Sequence, residues 1–145
     1  MLKIVIFIHI ISATIWTGGH LILALTFLPK ALRNNDFKII ESFETRYERI
    51  GIPSLFILVI TGIYMTTIYA PDLFTFDFEN HFIKHILIKL GLLLCTICLA
   101  LHARFVLIPK QKLKPLAYHI IAVTITSVLF VLVGFSLRSG GIFNP

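Results

Sequence analysis

Charge is scarce in this 145-residue chain: Asp, Glu, Lys and Arg make up 14% of it, against 57% hydrophobic residues. A water-soluble domain carries about a quarter charged residues, so an ordinary soluble globule is excluded. Cysteine is almost missing too. Cys95 and Cys98 both sit inside an apolar run, which leaves no disulfide framework. Methionine is limited to Met1 and Met65, too few for a thioether copper relay. Carboxylates occur only between residues 36 and 48 and between 72 and 79. With none in the apolar runs, zinc hydrolysis lacks its general base and proton pumping lacks its relay.

What remains is hydrophobic length. At about 20 apolar residues per crossing there is room for four spans and no second soluble domain. The runs are residues 2–28, 50–69, 82–108 and 116–137. Their expected stops are Pro29-Lys30, Pro71-Asp72, the Pro109 to Pro115 stretch with its lysines, and Arg138-Ser139-Gly140-Gly141. The expected fold is a single all-α domain: an integral-membrane four-helix bundle, up-and-down, with a retained first helix, since that run is too long for a signal peptide and lacks a cleavage site.

The formal net charge of +6 clusters in the connections rather than on a solvated patch, so it points to membrane orientation and not to nucleic acid. Nine Lys and Arg lie in or beside the first and third connections, against Lys3, Lys84, Lys89 and Arg138 on the other side. That asymmetry places both termini on the outer, periplasmic side of a bacterial inner membrane. Phe37, Ile40, Phe43 and Tyr47 recur at helical spacing against charged residues, which predicts an interfacial helix after the first span. Between Pro71 and His81, Phe74, Phe76 and Phe78 alternate with Asp77 and Glu79 as an aromatic surface anchor.

Histidine is the expensive residue here, because ionisable groups at membrane depth line interior sites rather than face lipid. His9 and His20 are eleven residues apart, three turns on one helix face and roughly 16 Å along the axis. Trp16 shares their stripe. His85 and His102 lie on the third span and His119 on the fourth, and in an up-and-down bundle spans one and three are diagonal. His9 and His85 fall near one surface; His20 and His102 fall near the other, with His119 as a reserve ligand. This pattern predicts a b-type cytochrome binding one or two haems b through histidine pairs and passing electrons to a quinone or a redox partner. Arg49 or Arg104 on one side and Arg138 or nearby lysines on the other would meet propionates. A second reading handles copper through His9, His85 and the Cys95, Cys98 and His102 face, whose soft donors suit Cu(I). Homodimerisation stays open.

The segment His9-Ile10-Ile11-Ser12-Ala13-Thr14-Ile15-Trp16-Thr17-Gly18-Gly19 resembles the opening helix of the copper resistance protein D (CopD) family. The likeness continues from Arg49 to Leu58-Val59-Ile60-Thr61-Gly62, and through Lys89 to the Arg104 to Pro109 helix exit. It implies copper uptake or tolerance. His9, Trp16, Arg49, Pro53 and Lys89 are also similar to the HemJ-type four-helix membrane protoporphyrinogen oxidases, which implies haem b at His9 and porphyrinogen oxidation. Pro29-Lys30-Ala31-Leu32 replaces that group's loop pattern, and His85 stands four residues before Lys89 rather than two.

Overall fold

Each apolar run forms a helix. The computed structural model describes residues 1–75 and 80–139. Among these, α1 spans Leu2–Asn34, α2 Lys38–Tyr69, α3 His81–Leu107 and α4 Leu113–Arg138, all long and apolar enough to cross a bilayer, with no strand. Phe76, Asp77, Phe78 and Glu79 of the expected aromatic anchor, and the Gly140-Gly141 stop, lie outside the described residues.

Two boundaries differ from expectation. Pro29 does not stop α1, because a π turn at Leu23–Phe27 precedes it and sets the proline in the first turn of the segment that follows. There a missing N–H costs little. The helix ends instead at Asn35, in the left-handed conformation that asparagine tolerates, and Gln111 adopts the same conformation between α3 and α4. The expected interfacial helix is not a separate element either: residues 38–49 continue straight into the second span. At 1.5 Å per residue α2 is about 48 Å long, well beyond a ~30 Å hydrocarbon core. Its projecting turns are held by α1, since Ile40 is fully buried with Ala31 and Leu28, and Phe43 packs tilted against Phe27, ring centroids 4.6 Å apart. Burial against a neighbouring helix outcompetes lying flat at the interface.

Neighbouring helices run antiparallel. Thr61 of α2 meets His9 while Tyr47 meets Trp16; Ser136 of α4 meets His85 while His119 meets His102. The packing order is α2, α1, α4, α3, with α4 the most buried helix. Between membrane helices there is little hydrophobic drive, and small polar residues do the joining. The Thr17 hydroxyl donates to the Ser127 carbonyl at 3.4 Å, Thr124 to the His20 carbonyl at 3.2 Å, and Thr96 to Thr126 at 3.2 Å. Among the described residues, helices α2 and α3 share no hydroxyl bond of this kind. They are joined at one end by the Tyr69–Phe82 ring stack and Ala70 against Ile83 and Ile86, and at the other by an Arg104–Glu48 ion pair of 2.7 Å.

Candidate functional site

The histidines fall at the two ends of this bundle. At the terminal end, where α1 begins and α4 finishes, the Thr61 hydroxyl donates to the Ile57 carbonyl at 2.6 Å. It therefore accepts the Nδ1–H of His9 at 2.7 Å. His85 is buried, its Nδ1–H donating to the His81 carbonyl at 2.7 Å and its Nε2 accepting from Ser136 at 3.0 Å. Both ring nitrogens of His85 are thus engaged within the protein. The expected His9–His85 pairing across a haem iron is not formed, because one ring turns to α2 and the other to α4.

At the hairpin end, where the short 35–37 and 108–112 connections lie, His20 donates Nδ1–H to the Trp16 carbonyl at 2.9 Å. It sits between Trp16, 4.4 Å away ring to ring, and Tyr47, 5.8 Å away. Tyr47 enters a slot made by Gly19 and Gly51, where any side chain would collide with its ring. Its hydroxyl donates to the Ile15 and Trp16 carbonyls at 3.1 and 3.0 Å. Glycine at these two places is a packing requirement, since only a missing Cβ leaves room for the ring.

Two imidazoles do converge. His102 of α3 and His119 of α4 are 2.7 Å apart, Nδ1 to Nε2, with ring centroids 4.8 Å apart. His119 Nδ1–H donates to the Pro115 carbonyl at 3.0 Å, which turns its Nε2 lone pair toward His102 and makes His102 Nδ1–H the donor. The residue before a proline seldom continues a helix, but Pro115 itself, in the first turn of α4, costs no hydrogen bond and offers a carbonyl one turn ahead of His119. A backbone carbonyl fixing one imidazole nitrogen so that the other points at a metal is the usual outer-shell arrangement of histidine ligands. The shared proton occupies the place a metal would take. Opening the pair by roughly half an ångström would accept metal–nitrogen bonds of about 2.0 Å.

The remaining expected site residues are spread out. Cys95 and Cys98 lie exposed on α3, and no three His, Cys, Asp or Glu side chains converge on a metal position among the described residues. Arg49 is exposed, and Arg138 lies at the terminal rim beside Tyr69, Phe82 and Leu137. Arg104 is taken by Glu48. Of the residues that organise the histidines, Tyr47 shows in the sequence only as part of an amphipathic stripe and Thr61 only as part of the CopD-like segment, and Ser136 is one more hydroxyl in an apolar run.

The family model of copper resistance protein D matches residues 41–137, well over half of the chain and nearly all of α2, α3 and α4. The chain belongs to the CopD family. No curated protein and no solved structure matches it. The CopD match contains His85, Lys89, His102 and His119 but not His9, Trp16 or His20, so the first-helix motif lies outside the matched residues. It shows no HemJ relationship. The imidazole pair is therefore part of the CopD-matched region, built from the last turns of one CopD helix and the first turns of the next.

Proposed function

We propose that this CopD-family protein handles copper inside the bilayer, with copper as cargo held by His102 and His119. The observation that carries the reading is their 2.7 Å nitrogen-to-nitrogen approach, with His119 oriented by the Pro115 carbonyl. Imidazole suits copper, and copper heads the affinity order of the divalent first-row metals. An imidazole pair at membrane depth is costly unless something binds it. Exposed Cys98, one turn before His102 on α3, offers a soft donor on the path toward the pair. The cluster of Lys and Arg beside residues 30–49 and 104–114 supports an orientation with this pair toward the cytoplasmic face of a bacterial inner membrane.

The test is metal analysis of protein purified in detergent after growth with copper. Wild type should carry copper, and the His102→Ala/His119→Ala variant should lose it, while His85→Ala keeps it. A double variant with wild-type copper content would end this assignment.

A second reading keeps one haem b on α1. His9 and His20 both commit Nδ1 to a protein acceptor and lie on one helix face. His9 or His20 would hold the iron, and a bound haem would supply one-electron chemistry toward a quinone or a redox partner. The fit is partial, because His85 has no free nitrogen to serve as the second axial ligand. A pyridine haemochrome spectrum separates the readings: haem without copper favours α1, and copper without haem favours the α3–α4 pair.

A further inference from the structure

The hairpin end of α1 carries a groove that nothing above uses. It is lined by Thr26, Pro29, Lys30 and Arg33 and has a volume of about 300 Å³. Steps of three and four residues put all four on one face of the helix. No carboxylate lines the groove, and the one ion pair among the described residues, Arg104–Glu48, lies elsewhere. Asp36, the acid nearest in sequence, turns its Oδ1 to the Lys38 N–H. Lys30 and Arg33 are therefore two exposed cations without an anion.

Beside them stands an unused donor. A threonine inside a helix ordinarily returns its hydroxyl to a carbonyl three or four residues back. Every other threonine described in the four spans donates to a backbone carbonyl. Thr26 has no hydrogen-bond partner among the described residues. It lies in the π turn Leu23–Phe27, where the Leu28 N–H reaches back five residues to the Leu23 carbonyl, so the carbonyls beneath Thr26 stand out of their usual register. An ammonium, a guanidinium and a hydroxyl on one face, with no side-chain acid among them, offer donors to an anion with several oxygens.

The same side of α1 stays open toward the bilayer. Leu25 and Ile22 are 74% and 52% exposed, and one turn further on a Cβ added at Gly18 would meet nothing within 4 Å. Ile15 and Ile11 continue the stripe, which from Ile22 to Ile11 runs about 16 Å along the helix. We propose that the groove holds the phosphodiester of an anionic phospholipid from the leaflet at the hairpin end. Arg33, Lys30 and the Thr26 hydroxyl donate to its oxygens, and one acyl chain lies along Leu25, Ile22 and Gly18. The apolar stripe favours a lipid over free phosphate. The missing carboxylate disfavours phosphatidylcholine, whose own ammonium would find no partner there. The proposal involves residues other than the copper pair and stands or falls separately from it.

The experiment is native mass spectrometry of full-length protein in detergent, titrated with phosphatidylglycerol or with phosphatidylcholine of the same chains. A basic residue near a membrane surface strengthens binding of an anionic lipid about fivefold, so the first phosphatidylglycerol should bind roughly tenfold or more tightly than phosphatidylcholine. Lys30→Gln/Arg33→Gln should remove that preference, and Thr26→Val should weaken it several-fold. Lys110→Gln/Lys112→Gln, which takes the same charge from the same end outside the groove, should keep it, and inorganic phosphate should not displace the lipid. Trp16 fluorescence and gel filtration identify any variant that fails to fold; if the Lys30 and Arg33 variant does, Thr26→Val decides. Equal affinity for the two lipids, equal losses in the groove and control variants, or displacement by inorganic phosphate overturns the proposal.

Discussion

At the terminal end of the bundle His9 and His85 each meet a hydroxyl from a neighbouring helix; at the hairpin end His102 and His119 meet each other. A hydroxyl both gives and takes a proton, so Thr61 and Ser136 can match whichever tautomer the backbone imposes and leave His85 fully satisfied. Two neutral imidazoles share one proton and leave a lone pair over, here on His102 Nε2. Buried polar groups are costly when unsatisfied, so the first arrangement closes a structure and the second retains donor capacity for something else. Two histidines of the same helix, His85 and His102, thus do different work because their partners on α4 differ.

The sharpest way to break that contrast is to exchange the fates of the two ends. Replacing His102 and His119 with alanine should remove all tightly bound copper, a change from a stoichiometric site to none, measured by plasma mass spectrometry. The melting temperature in detergent should fall by only a few degrees, since His102 is exposed. Replacing His85 should do the reverse, leaving copper and lowering stability. Copper retained in the first and lost in the second would mean that the ends have been assigned the wrong way round.

The next effect in size concerns how the hairpin half is packed. Gly19→Ala would drive a methyl into the Tyr47 ring, which is already fixed by two carbonyls and by Gly51. Overpacking of this kind costs about 1–3 kcal/mol, and with the ring unable to step aside the upper end is expected. The adjacent Gly18→Ala faces open space and should cost nothing. Chemical denaturation followed by the fluorescence of Trp16, whose carbonyl accepts the Tyr47 hydroxyl, reads both. Equal effects at 18 and 19 would show that Tyr47 is not held in this slot.

Much of this architecture is legible in the sequence, because hydrophobic length at low charge has one physical outcome in a bilayer. The four spans, their count and their alternation follow from runs of about twenty apolar residues. Helix ends are less legible. Pro29 reads as a stop, yet the π turn at Leu23–Phe27 absorbs it, and amphipathic residues 37–49 read as an interfacial helix although Ile40 and Phe43 find burial on α1. The histidines are conspicuous singly, but their pairing is not. Helical periodicity places a ring on a face without saying which neighbour's hydroxyl will reach it, and Ser136, which engages His85, looks like any other small residue of a membrane helix. His102 and His119 converge because α3 and α4 are joined by a short turn, which puts residues near the two sides of that turn opposite each other. Hydropathy marks the turn but does not say which faces of the two helices meet across it.

Ser136→Ala sharpens the same contrast more gently. It removes the donor to His85 Nε2 at a fully buried position while changing volume very little. Hydrogen bonds between membrane helices average about 0.6 kcal/mol and reach about 1.7, and leaving an imidazole nitrogen unsatisfied moves this one toward the higher figure. About 1 kcal/mol of lost stability with unchanged copper content is expected, read by denaturation and metal analysis on the same preparation. A drop in copper instead would place His85 among the ligands.

The smallest effect belongs to the ion pair that ties α2 to α3 at the hairpin end. Arg104 and Glu48 are 2.7 Å apart, but their side chains are 59% and 38% exposed. Pairs that water and salt can reach contribute at most about 1 kcal/mol and often nothing measurable, because ordering two long side chains offsets most of the Coulomb attraction. Glu48→Gln should therefore shift stability by about 0.5 kcal/mol or less, and any loss should shrink as salt rises above physiological strength, where screening acts within a few ångströms. Its value lies in separation rather than strength. If this pair only latches the end of the α2–α3 gap, Glu48→Gln should leave copper at the His102–His119 pair unchanged. A stability loss of several kcal/mol, insensitive to salt, would instead mean that α2 and α3 depend on this contact as a buried pair does, and that the gap between them is far narrower than their packing indicates.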